Sequence, residues 1–171
     1  MIAADTELTG GANGLVAVME SQGDVYRALL GLATSEQGAI LEGDVSRLTE
    51  IVRLKEELYD HLRALETERM TALVAIEAAT GIAPDQATVS EIASRLPVEH
   101  ATTLLRTGRE LRGQAVALEE AQTANARLLE QSRALVDRWL QYLRTLLAGS
   151  VYTPDGVTPS LPGGRALDRS A

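Results

Sequence analysis

The residue types that could hold a metal or move a proton are two histidines, His61 and His100, and 24 acidic side chains. A metal site in a helical bundle commonly uses Glu-x-x-His pairs, in which a glutamate precedes the histidine by three residues. Leu58 and Pro97 occupy those positions in this chain. We therefore expect no metal site, and we interpret both histidines as surface or boundary residues.

Other catalytic patterns are also missing from the sequence. There is no Cys, which excludes a thiol nucleophile, a disulfide framework and a thiolate metal site. No Gly-x-x-x-x-Gly-Lys-Ser/Thr loop and no strand-linked glycine fingerprint is present to hold phosphates. The carboxylates lie in charged helical stretches without the apolar pocket that general acid–base chemistry needs. We expect no cofactor and no enzymatic activity, which disfavours a cofactor-binding helical bundle.

The charge of the chain restricts its partners. The formal net charge is −8, and no block of basic residues is present. Nucleic-acid binding depends on Lys and Arg contacts to phosphate, and binding to anionic membranes depends on similar basic clusters. The N-terminus lacks a basic, then apolar, signal segment, and no apolar run is long enough to span a bilayer. We expect a soluble cytoplasmic protein without nucleic-acid partners or membrane insertion.

Protein binding is the class of function that remains, and one stretch of the sequence is suited to it. Residues 128–147, "LLEQSRALVDRWLQYLRTLL", contain more apolar side chains than one helix seam requires. One interpretation is that other helices of the same chain cover this stripe as core. The other is that part of it stays open to receive an amphipathic helix from another protein, with Trp139 as its anchor.

The elements that would position these residues are predicted to be helices. Capping residues and glycine or proline breaks place them at about 14–41, 45–79, 89–96 and 98–148. In the last helix, seam positions recur at alternating steps of three and four from Ala101 to Leu146, which is the heptad pattern of a coiled coil. Most of these positions are apolar or small, and two in the middle, Gln122 and Asn125, are polar. Polar residues interrupt the seams of the other helices at Gln22, Glu36 and Lys55. We predict an all-α, elongated antiparallel helical hairpin or bundle with coiled-coil packing.

Both ends of the chain are predicted to differ from this helical domain of residues 14–148. Residues 1–13 are polar and glycine-rich, so we expect them to be disordered. Residues 149–171 hold three of the five prolines and four of the 14 glycines, which predicts a flexible C-terminal tail. The tail is either a passive terminus or a docking strip, with Tyr152, Gly156 and Leu167 as its contact points.

Three motifs, in order along the chain, resemble those of FlgN-type flagellar type III export chaperones. The first is the charged helix "LEGDVSRLTEIVRLKEELYDHLRALETER". The second, "NARLLEQSRALVDRWLQYL", resembles the Asn-x-x-Leu-Leu segment of the family, carried by Asn125, Leu128 and Leu129. The third, "VYTPDG", resembles its Tyr-x-x-x-Gly tail pattern, carried by Tyr152 and Gly156. The resemblance extends from about residue 15 to residue 171.

The resemblance implies a function that the periodicity does not. It implies a cytoplasmic chaperone that binds the C-terminal helical segment of the hook–filament junction proteins FlgK and FlgL. Such a chaperone prevents their premature assembly and delivers them to the flagellar export apparatus. A homodimer of the free chaperone is left open. The alternative is a structural coiled-coil scaffold or stalk without a client, which would be a constitutive oligomer.

We predict that the client binds along residues 125–148 of the final helix. The predicted client-binding residues are Asn125, Leu128, Leu129, Leu135, Val136, Trp139, Leu140, Tyr142, Leu143, Leu146 and Leu147.

Overall fold

The computed structural model describes residues 2–84 and 86–149, and every regular element among them is a helix. The helices are α1 (Ile2–Glu42), α2 (Val45–Thr80), α3 (Val89–Ala93) and α4 (Val98–Gly149). The predicted all-α class is confirmed, and α2, α3 and α4 begin where their capping residues predict. The chain divides into two compact units, Met1–Glu130 and Gln131–Ala171, so α4 contributes residues to both.

The N-terminal end of α1 differs from the sequence-based prediction. Residues 1–13 were expected to be disordered, but the helix begins at Ile2, and Leu8 and Ala12 are buried. A Cβ added to Gly11 would lie 3.0 Å from the Ile76 side chain, so glycine allows α1 and α2 to approach closely here. Packing against α2 therefore stabilises a glycine-rich segment whose own helix propensity is low.

The ends of α2 and α3 follow from local capping chemistry. Gly43 adopts a φ of +69°, which a residue without a Cβ tolerates, and the Asp44 carboxylate accepts a hydrogen bond of 2.9 Å from the backbone N–H of Arg47. Gly81 closes α2 in the left-handed conformation and donates its N–H to the Glu77 carbonyl at 2.7 Å. Thr88 caps α3 by accepting from the backbone N–H of Glu91 at 3.1 Å.

Contacts between helices give their directions in the first unit. The Lys55 ammonium lies 2.6 Å from the Glu36 carboxylate, and Gly11 faces Ile76, so α1 and α2 are antiparallel. The Asn125 amide donates to the Ala33 carbonyl, and His100 contacts Asn13. These two contacts show that this part of α4 runs parallel to α1. The unit is an antiparallel bundle of α1, α2 and the first part of α4, as predicted.

Two buried clusters form the core of this bundle, and both consist mainly of aliphatic side chains. The larger one joins all four helices: Leu8, Leu15, Met19, Leu73, Ile76, Ile92, Ala93 and Leu104. The second one joins α1, α2 and α4: Val25, Leu29, Ala33, Leu65 and Leu118. Tyr26 and Tyr59 border the second cluster and are partly exposed. The core therefore consists of thin seams between helices, as expected for a chain with few aromatic residues.

Candidate protein-binding surface on the C-terminal part of α4

The seam of α4 is buried in its first part and exposed in its last part, although its spacing does not change. Leu104 is 0% exposed, Leu118 5% and Asn125 4%, whereas Val136 is 56% exposed and Trp139 58%. In the bundle, side chains of α1 and α2 cover the seam. In the second unit, every side chain from Arg133 to Leu147 is exposed. For the described residues, the interpretation that helices of the same chain cover this stripe as core is therefore wrong.

Eight large apolar side chains of the second unit are exposed together, and we call them the C-terminal apolar surface. They are Leu135, Val136, Trp139, Leu140, Tyr142, Leu143, Leu146 and Leu147. At 100° per residue they cover an arc of about 160° of the helix, and at 1.5 Å per residue they extend over about 20 Å. A single helix face of this width matches the apolar stripe that an amphipathic helix presents to its neighbours.

The local sequence keeps this segment helical. Residues 131–147 contain neither Gly nor Pro, and Leu, Arg and Gln, which favour helices, make up most of it. The rings of Trp139 and Tyr142 meet edge to face, with centroids 6.0 Å apart and planes at 87°. The edge-to-face contact suits the quadrupoles of the two rings and orients both side chains on the same face.

Asn125 was predicted to contact the client, but the structure places it in the bundle. Its amide nitrogen donates to the Ala33 carbonyl oxygen and to the Glu36 carboxylate, each at 2.7 Å. The same carboxylate binds the Lys55 ammonium at 2.6 Å, which links α1, α2 and α4. The amide is therefore occupied by these intramolecular contacts, and we leave Asn125 out of the proposed binding surface.

Leu128 and Leu129 belong to the first unit, and Leu129 is 45% exposed while Leu128 is half-buried. Tyr152, Gly156 and Leu167, the predicted contact points of the tail, lie outside the described residues, as does the rest of 150–171.

Sequence reasoning missed that the polar seam residues meet one another. Gln22, Glu36, Lys55 and Gln122 were recognised only as interruptions of their seams, whereas Asn125 was also predicted to contact the client. In the structure, Glu36 contacts both Lys55 and Asn125, and the Gln122 amide donates to the Tyr59 hydroxyl. Pairing the polar positions of neighbouring helices by register would have been the available signal.

The first unit also has a groove of about 390 Å³. It lies over the larger core cluster and is bordered by Gln22, Arg112 and the ion pair between Glu66 and Arg69, whose closest atoms are 2.7 Å apart. The hydrogen bond from Arg69 holds the pKa of the Glu66 carboxyl below its usual range. The charges at the border of the groove therefore belong to an ordinary i, i+3 ion pair on the surface of α2.

The described residues contain no group of three His, Asp or Glu side chains that could hold a metal ion. His61 is exposed on α2, and His100 Nδ1 lies 3.1 Å from the Asn13 side-chain oxygen. No described helix is both long and apolar enough to cross a bilayer.

The chain matches the model of a known protein family. The model of the family described as "FlgN protein" matches residues 11–160. No curated protein and no solved structure matches the chain.

Proposed function

We propose, from the premise that this chain belongs to the FlgN family, that it binds the C-terminal helical segment of flagellar hook-associated proteins. The family consists of flagellar export chaperones, and that general role applies to this chain. The clients proposed here are FlgK and FlgL. Bound in the cytoplasm, they would be kept from premature assembly and delivered to the flagellar export apparatus.

The observation that carries this proposal is the exposure of the C-terminal apolar surface. A helix of the client would place its own apolar stripe against this surface, as amphipathic helices do in grooves and on helix faces. Trp139, which is 58% exposed and lies near the middle of the stripe, is the expected anchor. Binding would remove apolar area from water, which is the main source of free energy in such complexes.

The double variant Trp139→Ala/Leu143→Ala tests the proposal. We expect client affinity to fall at least tenfold, because truncation of a hot-spot residue costs about 2 kcal/mol or more. Helix content and melting temperature should stay near wild type, because both side chains are about half exposed. Isothermal titration with the C-terminal helix of a hook-associated protein and circular dichroism measure the two quantities.

The matched control is Leu105→Ala/Val116→Ala, which removes two exposed apolar side chains from the first part of the same helix. It should leave client affinity unchanged. If Trp139→Ala/Leu143→Ala unfolds the protein, or binds the client as wild type does, the C-terminal apolar surface is not the client site.

A coiled-coil scaffold is the second candidate, because an exposed seam with heptad spacing is also what self-assembly requires. It predicts a constitutive oligomer, whereas the chaperone proposal predicts a chain that gains mass when the client is added. Light scattering over a hundredfold range of concentration, with and without the client helix, separates the two. A constant oligomeric mass that the client does not change would favour the scaffold.

A further inference from the structure

We propose that the partner helix carries acidic residues along both edges of its apolar stripe. This inference rests on the proposed function, since it names the chemistry of the segment that the C-terminal apolar surface binds.

Arginines border the C-terminal apolar surface on both sides. On a helix with 100° per residue, Arg133 and Arg144 lie within about 40° of one edge of the apolar arc, beyond Leu140. Arg138 lies about 40° beyond the other edge, next to Tyr142. A helix seated on the apolar arc would therefore meet a guanidinium group on each flank.

These arginines have little or no pairing within the described residues. Arg138 and Arg144 are exposed and form no ion pair there. Arg133 faces Asp137, but the two groups are 3.9 Å apart and the arginine side chain is 86% exposed. By contrast, arginines of the first unit such as Arg53 and Arg69 bind glutamates one helical turn away. The flanking guanidinium groups are therefore available to carboxylates of a partner, for which their planar geometry is well suited.

The charge of this segment is opposite to that of the rest of the chain. Residues 131–149 carry three arginines and one aspartate, a formal net charge of +2, whereas residues 1–130 carry 21 acidic and 11 basic residues, a net charge of −10. The positive charge of this part of α4 would attract an acidic helix to the same position that its apolar stripe would contact, so charge and apolar area favour the same binding position.

The same pattern disfavours two other occupants. If two copies of the chain paired through this surface, arginines would face arginines on both flanks, and like charges across an interface cost free energy. An anionic membrane is disfavoured because three arginines are fewer than the clusters of about four to eight basic residues on which such binding depends.

The experiment compares two synthetic helical peptides with the same leucine stripe, one flanked by Glu and the other by Lys. Trp139 is the only tryptophan of the chain and lies on the surface, so its emission reports binding when the peptides lack Trp. We expect the Glu-flanked peptide to bind roughly tenfold more tightly at low salt, as two or three rim ion pairs allow. The difference should shrink at 0.5 M NaCl, because salt screens exposed charges.

Arg138→Gln/Arg144→Gln should remove most of the preference for the Glu-flanked peptide. The control Arg63→Gln/Arg109→Gln lowers the net charge by the same amount on exposed residues outside the surface, and it should retain the preference. A control that loses the preference equally would mean that net charge, rather than the flanking arginines, selects the partner, and it would overturn the inference.

The remaining outcomes separate this inference from the proposed function. Equal affinity for both peptides, or tighter binding of the Lys-flanked one, overturns the inference and leaves the apolar surface as the client site. Binding of neither peptide overturns both. A shift of Trp139 emission on phosphatidylglycerol vesicles that the Glu-flanked peptide does not reverse would mean that the surface binds lipid, and it too would overturn the inference.

Discussion

At the scale of single residues, Asn125 shows how one buried polar side chain sets the register of neighbouring helices. An apolar residue at its position could pack at several registers, since aliphatic contacts are not directional. The Asn125 amide instead donates hydrogen bonds of 2.7 Å to the Ala33 carbonyl and to the Glu36 carboxylate, both on α1, and these bonds form at one register only. Because Lys55 of α2 binds the same carboxylate, one cluster aligns three helices.

Asn125→Ala is expected to lower the free energy of unfolding by about 2 kcal/mol, because two hydrogen bonds are lost, one of them to a charged group that stays largely buried. Urea unfolding followed by circular dichroism measures the change. Gln141→Ala, on an exposed position of the same helix, is the control and should have little effect. A midpoint for Asn125→Ala equal to that of the control would mean that the cluster adds no stability.

At the scale of elements, caps decide where the helices of the bundle begin and end. The turn between α1 and α2 has only two residues, Gly43 and Asp44, so the hairpin depends on a positive φ at the first and a capping carboxylate at the second. Both requirements are met by residue types that can be recognised in the sequence, and the predicted start of α2 is confirmed.

Asp44→Ala is expected to destabilise the protein by about 1 kcal/mol, because the backbone N–H of Arg47 loses its acceptor. Asp44→Asn keeps a side-chain oxygen in place and should remain near wild type. Thermal unfolding by circular dichroism compares the two variants. Equal losses for both would indicate that the charge of Asp44, rather than its hydrogen bond, stabilises the turn.

The Glu66–Arg69 pair makes a small, pH-dependent contribution to the same helix. Because the pKa of Glu66 is lowered in the folded state, its contribution is present above the ordinary range of glutamate pKa values. It is lost as the pH falls through the lowered value in the folded protein. Half of the Glu66 side chain is exposed, so solvent screening keeps the contribution below about 1 kcal/mol.

At the scale of the whole molecule, the buried core and the proposed binding surface lie in different units of the chain. Residues 1–130 contain both core clusters and the buried polar contacts, while residues 133–147 are exposed and carry the opposite net charge. Substitutions in the C-terminal apolar surface are therefore expected to alter binding without altering stability. This division suits a protein whose exposed apolar side chains are needed for a client.

Removal of residues 150–171 is expected to leave the melting temperature almost unchanged, because three prolines and three glycines give this segment little capacity to build a core. The truncation should change client affinity if the tail docks on the client or on the surface. Calorimetric unfolding and titration with the client helix measure both effects. Unchanged affinity would make the tail a passive terminus, and a large drop in melting temperature would contradict its assignment as a separate segment.

Local chemistry in the sequence was sufficient to predict the starts of α2, α3 and α4, their caps and much of the buried side of each seam in the bundle. Asp44, Gly81 and Thr88 act within a few residues of themselves, and the three–four spacing marks one face of a helix whatever lies opposite. The N-terminal extension of α1 was not predictable in this way, because it depends on Gly11 meeting Ile76, which is 65 positions away.

The tertiary structure alone decided which part of the α4 seam is covered. The same spacing runs from Ala101 through Asn125 to Leu146, and periodicity carries no information about the number or length of the neighbouring helices. In the bundle, α1 and α2 bury the seam as far as Asn125, whereas the side chains from Arg133 to Leu147 are exposed. Burial depends on what packs against a face, so only the folded chain distinguishes buried core from exposed surface.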